Sequence, residues 1–384
     1  MKLGWKLAVA SCLAMAATAV QAGSNTVSGT YNGQAWTAAS TIVGQTSTAT
    51  IATGGSPVNI AQMPQYSGVV SLIMNQGAAG SFICSGTLLS DRRSVLTAGH
   101  CVSGGAGTAN PISTTAYFYG GNNPDTIVPG SAAATAVAVS QYFVNPGYTG
   151  EVIDQNDIAV LRLSEVAPAF AKSYDLYKGN DLTGATYNIA GYGGRSTAGG
   201  VLGVDLGTGR LRQGNNRYDF RLGDSDFGGF FTNRDANGQN FFGTAQIDYS
   251  YLSDFDNGLA ANDASGLLAA AVGLTGPKYN NLGLGASESS SAGGDSGGPE
   301  FIDGQIASVT SYGLSFGTAF GDFRSGLNSS WGEFNGFVPT SIHSDFIFAS
   351  MVPEPTTWVM MFAGFGMIGA GARAGRRKAV PSAA

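Results

Sequence analysis

Short runs rich in β-branched and aromatic residues, each closed by Gly, Asn, Asp or Ser, recur from Gly68 onward. They are Val69 to Met74, Ser81 to Leu89, Ser94 to Ala98, Ala116 to Tyr119, Ile158 to Leu163, Tyr187 to Gly191 and Gln305 to Tyr312. Runs of this length and make-up are strands, and many of them at this spacing indicate a sandwich or a barrel. Glycine supports the all-β reading: 58 of 384 residues is about 15%, roughly twice ordinary usage, and turns need it. The apolar share of 43% suffices for a real core. One run, Ala264 to Leu274, reads as helical, with Ala and Leu content suited to packing. No internal repeat is evident.

The two ends stand apart from this pattern. Lys2 and Lys6 precede an apolar run from Leu7 to Val20, and Val20-Gln21-Ala22 has the small residues a signal peptidase needs, so residues 1–22 read as a signal peptide. Residues 23–64 are Ser, Thr, Gly and Ala with hardly a charge, and read as linker, pro-segment or edge strands. At the far end Val352-Pro353-Glu354-Pro355 is followed by 17 uncharged residues, Thr356 to Ala372, and then by Arg373, Arg376, Arg377 and Lys378. That length just spans a hydrocarbon core, with the basic cluster on the cytoplasmic side. The tail, 351–384, resembles the PEP-CTERM sorting signal of bacterial envelope proteins. The resemblance implies processing by an exosortase, membrane contact through the tail, and a cell-envelope or extracellular destination.

Six of the 19 basic residues lie outside 23–355, which leaves 13 bases against 25 acids in that body, a net charge of −12. Such a body is a poor partner for nucleic acid, whose phosphates call for clustered Lys and Arg. Cys12 departs with the signal peptide, leaving Cys84 and Cys101 as a pair in an oxidising compartment. Metal ligation is the alternative, and two sulfurs with only two histidines in the chain make a poor zinc set.

The segment from about Leu202 to Asn281 is unusual, rich in Gly, Asn, Phe and Asp, as in Asp224 to Phe231, Arg234 to Phe242 and Asp254 to Gly258. Clustered Asp and Asn can ligate calcium, but the same residues build turns by bonding their own backbone. Turns are the expectation here, with no metal or other cofactor.

Chemistry concentrates in three motifs. Leu96-Thr97-Ala98-Gly99-His100-Cys101 puts a histidine at a strand end beside a cysteine. Asn156-Asp157-Ile158-Ala159-Val160-Leu161-Arg162-Leu163 puts an acid just before an apolar strand. Gly293-Gly294-Asp295-Ser296-Gly297-Gly298-Pro299 puts a serine in a glycine-rich bend that can turn its N–H groups inward. In this order they resemble the chymotrypsin-like serine proteases. The resemblance spans about 65–350 and implies two six-stranded antiparallel β-barrels, with the 202–281 insert in the second half and a short C-terminal helix.

It further implies Ser296 as nucleophile, His100 as general base and then acid, and Asp157 as the group that fixes the His tautomer. The N–H groups of Gly294 and Ser296 would form the oxyanion hole. Ser311, Tyr312 and Gly313 match the substrate-binding strand, and Ala190-Gly191-Tyr192-Gly193 the glycine turn that opens the second barrel. Ser290 falls at the base of the specificity pocket, where the lack of charge disfavours Lys and Arg and favours cleavage after apolar or aromatic residues. Ala292 stands where the family usually has a cysteine, and Glu288 lies near the pocket. Asp154, three residues from Asp157, is a rival acid that reads as a loop residue, and His343 reads as structural or exposed.

In this family a newly cut hydrophobic N-terminus pairs with the acid before the serine, here Asp295. No Lys or Arg lies between Lys6 and Arg92, so a tryptic cut cannot make that terminus; Ile42 and Ile51 are the candidates after other cuts, or Asp295 has an internal partner. The function implied is an exported serine endopeptidase acting on protein or peptide. A non-catalytic surface or matrix-binding protein on the same scaffold, and an esterase with the same triad, are the alternatives.

Overall fold

Each half of the chain rolls its strands into a curved sheet, and the first half closes. In the computed structural model, which describes residues 27–31, 34–39 and 43–351, the first half contains β1 (Val27–Tyr31), β2 (Gln34–Ala39), β3 (Val43–Gly44), β4 (Val69–Asn75), β5 (Ser81–Leu88), β6 (Ser94–Thr97), β7 (Ser113–Tyr119), β8 (Ala134–Val144) and β9 (Ala159–Leu163). Strands β4 to β9 form a closed antiparallel barrel in the order β4-β5-β6-β9-β8-β7. Alternation sends Leu72, Leu96, Phe118 and Leu161 inside, all fully buried; each contributes about 1.5–3 kcal/mol by leaving water. The expected signal peptide lies outside the described residues, as does the tail from residue 352.

The second half has β10 (Thr186–Gly191), β11 (Arg212–Arg217), β12 (Phe220–Arg221), β13 (Tyr251–Phe255), β14 (Ser289–Ser290), β15 (Pro299–Ile302), β16 (Gln305–Ser315) and β17 (Glu333–Pro339), with helices α1 (Ala264–Ala271) and α2 (Ser344–Met351). Its main sheet runs β11-β10-β15-β16-β17-β13-β12, and β2 and β1 add to it through β16, making nine strands. The architecture is the two-barrel one, with the second half a curled sheet of more than six strands rather than a closed ring of six. One apolar cluster runs across the junction, joining Leu72 and Val160 to Tyr192, Val309 and Val338.

The Phe-rich segment builds a core of its own. Phe220, Phe227, Phe231, Phe241 and Phe242 are buried together with Trp36, Tyr312 and Phe334, in edge-to-face and stacked pairs such as Phe227 on Phe231 at 5.1 Å. Its polar residues make turns between these rings: Asp224 Oδ1 accepts from Asp226 N at 3.0 Å, and Asp235 Oδ1 accepts from Asn237 N and Gln239 N at 2.8 and 3.0 Å.

Candidate active site

Strand β6 ends in a single helical turn, Gly99–Cys101, which swings His100 toward the loop before β9. There Asp157, 1% exposed, receives three donors. His100 N reaches Oδ1 at 2.7 Å, His100 Nδ1 stands 2.7 Å from Oδ2, and Ser311 Oγ donates to Oδ2 at 2.6 Å. With Nδ1–H on the carboxylate, the tautomer that leaves Nε2 unprotonated is favoured. Burial draws the His100 pKa down, but the charge of Asp157 and its hydrogen bond outweigh burial and hold it above the ordinary 6.5.

Ser311 reaches Asp157 because of a backbone irregularity. The register between β16 and β17 shifts between Thr310 and Tyr312, and such a bulge re-aims a side chain. Tyr312 turns the other way: its hydroxyl lies 2.6 Å from Ser250 Oγ and its ring enters the Phe-rich core, so only its backbone faces the site strand's edge.

The bend Gly293–Pro299 packs Ser296, 3% exposed, against the first barrel. Ser296 O accepts from Ser85 N at 2.8 Å, and Cys101 Sγ lies 3.6 Å from the same oxygen. Ser85 Oγ donates to Gly294 O at 2.8 Å and accepts from Tyr192 N at 2.9 Å, so one buried hydroxyl stitches β5 to the bend and to the glycine turn after β10. Two glycines are obligatory. Gly294 has φ +105°, and at Gly297, φ +81°, a Cβ would fall 1.9 Å from Thr97 Oγ1. Cys84 and Cys101 are joined in a disulfide, so neither sulfur is a metal ligand, and the bridge fixes the residue beside His100.

Asp295 is fully buried. Its oxygens accept from Gly193 N at 2.7 Å and Ala292 N at 3.0 Å, and burial pushes its carboxyl well above the usual range.

Residues 52–225 match the family model Trypsin. That match contains His100 and Asp157 and ends before Ser296. Residues 352–378 match the PEP-CTERM protein-sorting motif, which indicates export and envelope sorting. No curated protein matches the sequence. No helix among the described residues is long and apolar enough to cross a membrane; the span expected over Thr356 to Ala372 lies outside them.

Beside His100, a cleft of about 380 Å³ is lined by Phe82, Cys84, His100, Tyr148, Val152 and Ser311. Ser290 is buried, with its Oγ donating to Asn335 Oδ1 at 2.9 Å. The same oxygen accepts from Ser291 N at 2.6 Å, and Asn335 pairs with Gly313 across β16 and β17. Asn335 thereby holds Ser290 beside Gly313. Neither Ser85 nor Asn335 stood out in the sequence, since a lone Ser or Asn inside a strand carries no pattern.

The remaining candidates fall outside this constellation. Asp154 spends Oδ2 on Thr149 N and Oγ1, at 2.8 and 2.7 Å, and Oδ1 on Asn156 N at 2.9 Å, shaping the loop that presents Asp157. His343 is buried. Its Nε2 donates to Gln155 O at 2.7 Å, its Nδ1 lies 3.0 Å from Asn145 Nδ2, and burial holds its pKa below 6.5.

Proposed function

We propose that the protein is an exported serine endopeptidase in which Ser296 attacks the scissile carbonyl and forms an acyl-enzyme. His100 Nε2 takes the serine proton and returns it to the leaving amine. Asp157 orients the ring and stabilises the imidazolium without itself being protonated. The N–H groups of Gly294 and Ser296 serve the tetrahedral oxyanion, at about 3–4 kcal/mol per donor in related enzymes. The observation that carries this reading is the His100–Asp157–Ser311 network, with the Ser296 bend docked on Ser85 beside it.

Ser290 and Gly313 bring no charge to the pocket, which supports cleavage after apolar or aromatic residues. A fluorophosphonate probe labels only an activated serine, so labelling of the wild type and its loss in Ser296→Ala tests the assignment. An unlabelled wild type overturns it in favour of the binding-scaffold alternative. Casein against short acyl esters separates peptidase from esterase.

Activation by a cut before Ile42 suits the surroundings of Asp295. Val43, the next residue, pairs with Ser290 and shares an apolar cluster with Ala292. Ile51 is spent elsewhere, its N–H donating to Asp125 Oδ2 at 3.0 Å. The same cut would separate the β1–β2 hairpin, which now pairs antiparallel with Gly313, Leu314 and Ser315 along the edge an extended substrate would use. N-terminal sequencing of active secreted protein should read Ile42; a start at Gly23 removes the processing step.

A further inference from the structure

Around the end of β13, five carboxyl groups are buried: Asp219, Asp254, Asp256, Asp263 and Glu288. Among the described residues the nearest ion-pair partner is Arg217, whose Nη1 is 3.7 Å from Asp219 Oδ1. Asp254, Asp256 and Glu288 each present an oxygen, and the three lie within 4.8 Å of one another. Calcium holds its oxygen ligands at about 2.3–2.6 Å, so ligands on opposite sides of one ion stand up to about 5 Å apart. Three carboxylates so placed can share one ion between them.

A second observation points to a missing ligand. Asp256 is fully buried, and its Oδ2 has no hydrogen-bond partner, although Oδ1 accepts from Gly258 N at 2.6 Å. An unsatisfied buried carboxylate oxygen is costly. Its neighbours are oriented rather than idle. Glu288 Oε2 accepts from Asp256 N at 2.8 Å and Oε1 from Leu284 N at 2.9 Å, and Asp254 Oδ2 accepts from Ser265 N at 2.9 Å. Backbone donors posing carboxylates from behind is the outer-shell arrangement of metal sites. Ser265 Oγ, also buried and unpartnered, is a neutral oxygen close at hand.

We propose that Asp254, Asp256 and Glu288 form a calcium site. An all-oxygen donor set selects a hard cation over zinc or copper. The bound ion would tie the end of β13 to Glu288 and so to β14, which pairs with β3. Calcium would therefore brace the second half of the fold, not take part in bond cleavage.

The test uses the secreted protein in a Ser296→Ala background, which prevents self-digestion, after chelation with EDTA. Calcium is titrated through about 10⁻³ M, the weak end of extracellular calcium modules, by calorimetry, with thermal unfolding alongside. One ion per chain should bind. At about a hundred times Kd the unfolding midpoint should rise by several degrees, and Asp256→Asn and Glu288→Gln should each bind at least about tenfold more weakly. Absence of binding heat and of any rise in the midpoint overturns the proposal. So does wild-type affinity in the Glu288→Gln variant, which keeps the site falsifiable should Asp256→Asn fail to fold. An equal effect from magnesium alone overturns the assignment to calcium. None of these readouts depends on proteolysis, so the site stands or falls apart from the catalytic reading.

Discussion

The two halves of the molecule solve the same packing problem differently. The first closes six strands around aliphatic side chains, is held by the Cys84–Cys101 bridge and contributes His100 and Asp157. The second opens into nine strands, inserts a Phe-rich core of its own and contributes the Ser296 bend. The Trypsin match covers the first barrel and ends at residue 225, before most of that inserted core. A conventional barrel thus carries His100 and Asp157, while an enlarged one carries Ser296.

If catalysis needs both halves, the largest effects come from Ser296 in one and His100 and Asp157 in the other. Ser296→Ala or His100→Ala should lower turnover by about six decades with the unfolding midpoint unchanged, and Asp157→Asn by about four. Wild-type rates in any of them would dissolve the link between the halves.

Stability separates the halves next. Phe231→Ala, at a fully buried ring of the inserted core, should cost about 3–5 kcal/mol by chemical denaturation. Replacing both Cys84 and Cys101 by Ser should cost the first barrel about 3 kcal/mol, given the 17-residue separation. An inserted core that tolerates Phe231→Ala without loss would be an appendage rather than part of the fold.

The smallest effects are in proton binding, and the chain's two histidines should move oppositely. Asp157 raises the His100 pKa above 6.5, so its contribution to stability is full below 6.5 and fades as pH climbs through the folded value. Activity behaves inversely, since the base must be neutral, and kcat/KM should fall in acid along a limb centred above 6.5. Burial lowers His343, whose contribution is present above 6.5 and fades as pH falls toward the folded value. An NMR titration of the two imidazoles checks both midpoints; coincidence of the two would remove the distinction.

Much of the first barrel was legible. The runs Val69 to Met74 and Ser81 to Leu89 became β4 and β5 within a residue at each end, because apolar runs bounded by turn residues have few other uses. Strand β8 escaped, since only Val137 of its residues is buried and no two-residue alternation survives. The Asn and Asp of the insert announced turns at Asp224 and Asp235, but its phenylalanines gave no period from which a common core could be read.

Sequence alone determined the strand-rich class, the order of the His, Asp and Ser motifs and the pairing of two cysteines, because each rests on local pattern or on counting. Tertiary structure decided what depends on distance between remote positions. Ser85 clasps the Ser296 bend from 209 residues away, Asn335 holds Ser290 beside Gly313, the β2 strand covers the edge of β16, and Asp254, Asp256 and Glu288 face one another. A chain encodes such encounters only through the summed packing of everything between them.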